Sequence, residues 1–210
     1  MYLVRPPYLL KKLYPKALWR LDASKKKIYL TFDDGPVKGV TEWVLDILKE
    51  KKISATFFCV GENVKSNPEI FQRVLSEDHA VGNHTYNHLN GWNTHTARYI
   101  ANAAKCAQLV SSKLFRPPYG KLKKSQLENL IAPKNKSFGK YAIILWDVLS
   151  GDYDKNTSPE MCLQNVKDYT RNGSIIVFHD SYKAEEKVKY ALPKFIDWAL
   201  KEEFEFCKLG

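Results

Sequence analysis

The stretch KIYLTFDDGP, residues 27–36, sets the fold class of this 210-residue chain. It begins with an apolar, strand-like run, and Val44, Ile47 and Leu48 then recur at helical spacing. The same alternation continues to the C-terminus. We predict strands at residues 27–32, 55–60, 80–83, 114–116, 141–148, 174–178 and 205–209. We predict helices near residues 41–52, 67–78, 94–113, 123–132, 158–171 and 186–203.

Seven strands separated by six helices predict an α/β fold in which parallel β/α units form a closed or nearly closed barrel. An open doubly wound sheet is the alternative, because periodicity alone does not distinguish the two. Residues 1–26 precede the first strand, and Leu9, Leu10, Leu13 and Leu18 give them an apolar stripe. We therefore expect an N-terminal extension, residues 1–26, packed on the exterior or one end of a single domain at 27–210.

The composition indicates a folded, basic protein. Hydrophobic residues make up 44% and aromatic residues 13% of the chain, which argues against disorder, and no apolar run is long enough to span a bilayer. The net charge is +10, and residues 1–30 hold eight basic residues and one acidic residue, hence +7. We interpret this charge as a solvated face, because no recognised nucleic-acid motif accompanies it. No export signal is visible, so we expect four free cysteines; the cytoplasm is the default location, with the cell wall or the extracellular space as the alternative.

Polar groups follow five of the predicted strands, where functional groups of parallel β/α folds gather. Each segment alone can also be a turn or a satisfied core position. Two adjacent carboxylates at a strand end repel unless a cation compensates them. Histidines four residues apart lie on one face of a helical turn and can share a metal ion. The segments are Asp33–Pro36, His84–His88, Arg116–Gly120, Asp152–Asp154 and His179.

In this order, TFDDGP, HTYNH, RPPYG, GDYD and IVFHD resemble the five motifs of the polysaccharide deacetylases of the NodB-homology type, carbohydrate esterase family four. The resemblance covers roughly residues 27–209. It departs from the family at Tyr153, where tryptophan is more frequent, and at Val177, where leucine is more frequent. The resemblance implies a distorted (β/α)7 barrel, in agreement with the seven predicted strands.

The resemblance also implies a metal site and a general base. Asp34, His84 and His88 would hold a divalent metal, zinc in the first place, with other divalent ions as alternatives. Asp33 would be the base that removes a proton from water, and Arg116 would keep it ionised and oriented.

By the same resemblance, His179 would be the general acid that protonates the leaving amine, with Asp152 favouring its charged form. The backbone N–H of Tyr119, together with the metal, would stabilise the oxyanion. Tyr153 and Val177 would line the pocket for the acetyl methyl group. The departures at these two positions therefore concern the shape of that pocket and leave the chemistry intact.

The implied function is metal-dependent removal of N-acetyl groups from a glycan that contains N-acetylglucosamine, such as peptidoglycan or a chitin oligomer. One alternative is an O-acetyl esterase acting on acetylated xylan. Another is a non-catalytic basic protein that binds glycan or nucleic acid. We expect an acetylated glycan as partner and no nucleic acid. We assign no catalytic role to Asp147 or Asp180, and interpret His79 and His95 as structural or surface residues.

Overall fold

The computed structural model describes residues 3–132 and 140–210. Within them, nine strands form one sheet and eight helices surround it. The strands are β1 (Ala17–Leu18), β2 (Lys27–Asp33), β3 (Thr56–Cys59), β4 (Ala80–Asn83), β5 (Leu114–Phe115), β6 (Ala142–Ile144), β7 (Val148–Leu149), β8 (Ile175–His179) and β9 (Glu205–Phe206). The helices are α1 (Tyr8–Leu13), α2 (Val40–Lys51), α3 (Gly61–Ser66), α4 (Pro68–Ser76), α5 (Thr96–Ala107), α6 (Lys124–Ile131), α7 (Pro159–Tyr169) and α8 (Glu185–Lys201).

The sheet is parallel and curled into a half-barrel. Its strands follow the order β1-β6-β5-β4-β3-β2-β8-β7, and β9 pairs with β2. Strand β7 lies at one end of this order and β6 is second from the other end, yet only residues 145–147 separate them in the chain. Four Cα steps span at most about 14 Å, so the two ends of the sheet must approach each other. The predicted barrel of parallel β/α units is confirmed, and the open doubly wound alternative is wrong.

Residues 3–20, which we call the N-terminal segment, lie along the seam where the ends of the sheet meet. β1 extends the sheet by pairing with β6, and the Leu145 N–H donates to the carbonyl of Leu18 at 2.8 Å. On the other side of the seam, the Leu149 N–H donates to the carbonyl of Val4 at 2.8 Å. The segment thus satisfies backbone groups that an open edge would leave unpaired, a closer association than packing on the exterior.

Most element boundaries agree with the predicted pattern. α4 starts at Pro68 and α7 at Pro159, both predicted, and the Ser158 hydroxyl caps α7 by accepting from the Met161 N–H at 3.1 Å. The predicted strand at 141–148 is two strands, β6 and β7, because the chain turns at residues 145–147 and changes neighbours in the sheet.

The core lies between the sheet and its helices. The rings of Phe32 and Phe57 stack with centroids 5.0 Å apart, and Phe178 lies 6.3 Å from Phe32 on the other side. All three side chains are buried. The four cysteines are free thiols, three of them buried. In the described parts of the chain, no helix combines the length and apolarity needed to span a membrane.

Replacing Gly82 with alanine should destabilise the fold. Gly82 lies on β4, and a Cβ there would overlap the Phe58 ring on β3. We expect Gly82→Ala to lower the free energy of unfolding by about 1–3 kcal/mol, the usual effect of overpacking. Urea unfolding measures it, with Gly210→Ala as the control because a Cβ there meets open space. Equal stability of the two variants would contradict the close packing of β3 on β4.

Candidate active site

A cavity of about 430 Å³ opens at the carboxyl ends of the parallel strands. Asp33, Asp34, His84, His88 and His179 all line it. Asp33 and His179 are register partners on the neighbouring strands β2 and β8, which explains why residues far apart in the chain meet here. The sheet therefore gathers the predicted polar groups around one cavity.

Asp34, His84 and His88 bring three ligand atoms together, all within 4.8 Å of one another. Asp34 Oδ1 lies 3.1 Å from His88 Nε2 and 3.8 Å from His84 Nε2. Burial alone would raise the pKa of Asp34, but His88, His179 and His84 together hold it below its ordinary value. The cluster therefore contains an ionised carboxylate facing two imidazoles.

The residues fit a divalent metal. Asp34 Oδ1 is buried and makes no hydrogen bond among the described residues; His88 Nε2 lies 3.1 Å away but without hydrogen-bond geometry, so the cluster leaves a negative oxygen unsatisfied. His84 Nδ1 donates to the carbonyl oxygen of Arg116 at 2.8 Å, which turns the lone pair of Nε2 towards Asp34. Burial lowers the pKa of His84 to about 4, so the imidazole is neutral and able to ligate. Two nitrogens and one carboxylate oxygen are a typical ligand set of catalytic zinc.

The loop that carries both histidines is irregular, so the predicted helical turn is wrong. Thr85 and His88 have positive φ angles of 63° and 53°. The Asn83 side chain accepts from the Thr85 N–H at 2.9 Å, and the Thr85 hydroxyl accepts from the Leu89 N–H at 3.1 Å. These two bonds fold the loop back on itself, which brings the His84 and His88 rings to a centroid distance of 5.0 Å.

Backbone strain concentrates at this cavity. Seven non-glycine residues among those described have positive φ, and four of them are Asp34, Thr85, His88 and Tyr119. Such conformations cost on the order of 1–3 kcal/mol each and persist where surrounding contacts enforce them. Their clustering is typical of a functional site.

Asp33 is oriented by a buried arginine. Arg116 Nη1 donates to Asp33 Oδ1 at 2.6 Å and to the hydroxyl of Thr31 at 2.8 Å. The guanidinium is fully buried and lies 4.0 Å above the Phe58 ring. Burial lowers the pKa of Arg116, but the adjacent carboxylate of Asp33 opposes that shift. The pair therefore holds Asp33 in one orientation, with its second oxygen, Oδ2, left for other contacts.

His179 and Asp152 form a second coupled pair. His179 Nδ1 lies 2.7 Å from Asp152 Oδ1, and the backbone N–H of His179 donates to Asp152 Oδ2 at 2.6 Å. Burial would lower the pKa of His179, but the charge and hydrogen bond of Asp152 raise it to about 9. Because Nδ1 is engaged, Nε2 is the nitrogen that the cationic ring offers to the cavity.

Tyr119, Tyr153 and Val177 also line the cavity. The Tyr119 ring lies 4.7 Å from the His88 ring, and the Tyr153 ring lies edge-on to His179 at 5.0 Å. Of the ten residues predicted for the site, eight line the cavity. The other two, Arg116 and Asp152, are fully buried behind Asp33 and His179.

Two aspartates that received no catalytic role turn out to be buried organising groups. Asp180 accepts from the Gly35 N–H at 3.0 Å and from the Thr41 hydroxyl at 2.6 Å, and so fixes the turn after Asp34. Burial raises the pKa of Asp180 to about 8. Asp147 accepts two hydrogen bonds from Arg171, at 2.8 and 2.9 Å. Both aspartates follow apolar runs, and a carboxylate at such a position needs partners.

His79 and His95 lie outside the cavity. His79 is buried and its Nδ1 accepts from the Ala55 N–H at 3.1 Å, while His95 is exposed just before α5. Both observations agree with the interpretation of these histidines as structural or surface residues.

Known proteins are similar to this chain in sequence and in fold. Two peptidoglycan-N-acetylglucosamine deacetylases of Bacillus cereus are similar in sequence. One is 34% identical over 164 residues, 75% of this chain and 57% of that protein. The other is 31% identical over 198 residues, 91% of this chain and 90% of that protein. The chain thus spans little more than half of the first relative and nearly all of the second.

A solved structure is similar over almost the whole chain. It is a peptidoglycan N-acetylglucosamine deacetylase in complex with 4-naphthalen-1-yl-N-oxidanyl-benzamide, with a TM-score of 0.82 and 29% identity. The match covers 97% of this chain and 95% of that one. The family model described as polysaccharide deacetylase matches residues 20–132, which include the Asp33–Asp34, His84–His88 and Arg116 segments. With the curled parallel sheet and these segments in place, the chain belongs to the polysaccharide deacetylase family.

Proposed function

We propose that this protein removes N-acetyl groups from a glycan that contains N-acetylglucosamine, by metal-dependent hydrolysis. The observation that carries the proposal is the joint arrangement of an oriented base, a ligand cluster and a cationic histidine around one cavity. The two Bacillus cereus relatives are named for the same reaction on peptidoglycan, which supports the choice of glycan.

The proposed reaction begins with Asp33. Arg116 occupies Oδ1, so Oδ2 accepts the proton of the water molecule as the water oxygen bonds to the acetyl carbon. Asp34, His84 and His88 would hold the divalent metal, which when bound acidifies water and polarises the carbonyl. The backbone N–H of Tyr119, at the rim of the cavity, is proposed to donate to the developing oxyanion.

The second half of the reaction needs an acid. As the carbon–nitrogen bond breaks, His179 Nε2 gives its proton to the leaving nitrogen, and acetate and a free amine result. Asp152 favours the protonated ring through the 2.7 Å contact with Nδ1. Tyr153 and Val177, which line the cavity beside His179, are proposed to enclose the acetyl methyl group.

Acetate release tests the proposal directly. We expect the purified protein to release acetate from peptidoglycan or N-acetylchitooligosaccharides, and we expect a chelator to stop the reaction and added zinc to restore it. Release from acetylated xylan alone would favour the O-acetyl esterase alternative. No release from any of these substrates with zinc present would contradict the proposal.

The pH profile should report the His179–Asp152 pair. His179 is active when protonated, and its pKa of about 9 predicts that activity on an amide falls as the pH rises through that value. Asp152→Asn removes the charge that raises the pKa, so the alkaline limb should move down towards the ordinary histidine value of 6.5. Rates of kcat/KM between pH 5 and 10 measure the shift. An alkaline limb at the same pH in both proteins would show that His179 is not the group titrating there.

A further inference from the structure

The N-terminal segment, residues 3–20, reaches the catalytic cavity. Leu3, Pro6 and Leu10 line the same cavity as Asp33 and His179. They share it with Trp146 and Leu149, which lie on either side of Asp147 in the seam of the sheet. One wall of the cavity is therefore made by residues that precede the first strand of the barrel proper.

Charge holds this wall in place. Asp147 is fully buried, and besides Arg171 it faces Lys11 Nζ at 3.3 Å and Arg5 Nε at 3.7 Å. Burial raises the pKa of Asp147, but Arg171, the Ser174 hydroxyl and Arg5 together hold it below its ordinary value. Removing the two N-terminal cations would leave a buried carboxylate with less compensation, which opposes detachment of the segment.

Hydrogen bonds fix the segment at two further points. The Tyr14 hydroxyl donates to the Leu122 carbonyl at 2.9 Å and accepts from the Leu122 N–H at 3.2 Å. At the other end, the Val4 carbonyl accepts from the Leu149 N–H. Leu3, Pro6 and Leu10 thus stand on a segment attached to the barrel on both sides of the cavity.

We propose that this segment is a specificity-determining wall of the substrate cleft, and that Leu3 and Leu10 pack against a sugar ring adjoining the acetylated residue. The inference rests on the proposed function. A cavity of about 430 Å³ is in the range that holds whole small-molecule ligands, so the acetyl group fills only a part of it. The wall offers apolar side chains beside the indole of Trp146, and such surfaces pack on the C–H faces of sugar rings. Because the wall and the reacting groups line one continuous cavity, we expect the glycan substrate to be the molecule that contacts the wall.

Binding to a protein that does not turn over tests the wall apart from catalysis. In the zinc-loaded Asp33→Asn background, we expect Leu3→Ala and Leu10→Ala each to weaken binding of N-acetylchitotetraose by about fivefold in calorimetry, from the lost apolar contact. Leu9→Ala is the matched control, because Leu9 is the neighbour of Leu10 on α1 but is exposed and outside the cavity. Leu3 is 57% exposed, so its truncation leaves the core intact. The midpoint of thermal unfolding of each variant shows whether the fold is preserved.

Turnover gives an independent readout in the active protein. The ratio of kcat/KM on N-acetylchitotetraose to kcat/KM on 4-nitrophenyl acetate should fall in Leu3→Ala and Leu10→Ala and stay constant in Leu9→Ala. Equal affinity for the tetrasaccharide in all three variants would overturn the inference. 4-Nitrophenyl butyrate, an ester with a longer acyl chain, tests whether the wall contacts the acyl group instead. A loss of kcat/KM confined to this ester would also overturn the inference. If the wild type releases no acetate but Leu3→Ala and Leu10→Ala still bind the tetrasaccharide more weakly than Leu9→Ala, the proposed reaction is rejected. The inference that the N-terminal segment contacts the glycan then stands.

Discussion

Asp33→Asn is expected to abolish measurable turnover and leave metal binding nearly intact, whereas Asp34→Asn is expected to lose the metal. The two carboxylates are neighbours in sequence but have different partners. Asp33 contacts the Arg116 guanidinium at 2.6 Å, and Asp34 faces the imidazoles of His88 and His84. The substitution keeps side-chain size in both cases, so the contrast reports function.

The magnitudes follow from the two roles. An amide at position 33 accepts no proton, and loss of a general base costs on the order of 10²–10⁴ in rate. An amide at position 34 removes the negative oxygen of the cluster. Loss of a side chain that only hydrogen-bonds to a metal ligand already weakens metal binding by about 10–100-fold. Loss of a ligand itself should therefore weaken metal binding at least as much.

Zinc affinity and steady-state rate, measured on both variants and on the wild type, test this contrast. Excess zinc should restore part of the activity of Asp34→Asn and none of the activity of Asp33→Asn. Comparable metal loss in the two variants would mean that the carboxylates have been assigned the wrong way round. Circular dichroism spectra identical to that of the wild type would exclude unfolding as the common cause.

The sequence indicates the catalytic end of the molecule well because each motif directly follows a strand. The run of apolar residues at 175–178 predicts β8, and His179 then lies at the end of a parallel strand, next to Asp33 in the register. Local sequence patterns do not predict that His179 pairs with Asp152 or that Arg116 pairs with Asp33. These pairs join residues 27 and 83 positions apart, and only the resemblance to a family pointed to them.

Local patterns were least informative where distant backbone decides the conformation. The HTYNH segment has the spacing of a helical turn, but Asn83 and Thr85 hold it in a loop. The apolar run at 141–148 looks like one strand because periodicity does not report that the sheet changes neighbours at Trp146. The predicted solvated basic face included Arg5 and Lys11, because Asp147, the buried partner of these two residues, lies more than 130 residues away in the chain.

The role of the general acid depends on the leaving group. An amine leaves from a tetrahedral intermediate only after protonation, whereas an acidic phenol leaves as its anion. In the proposed mechanism the proton comes from His179 Nε2, because Nδ1 is held by Asp152 and the charge and hydrogen bond of Asp152 raise the pKa of the ring to about 9. The two kinds of substrate should therefore respond differently to the loss of this one side chain.

His179→Ala should lower kcat by on the order of 10²–10⁴ on an N-acetylated chitooligosaccharide, the usual contribution of a general acid. On 4-nitrophenyl acetate the loss should be much smaller, because the phenolate departs without a proton. Steady-state rates on both substrates, with zinc saturating, measure the two losses. Zinc affinity of the variant is the control, since His179 is outside the cluster of Asp34, His84 and His88. Equal losses on the amide and the ester would rule out His179 as the acid for the leaving group, and would require that its contact with the cavity serve the attack of water instead.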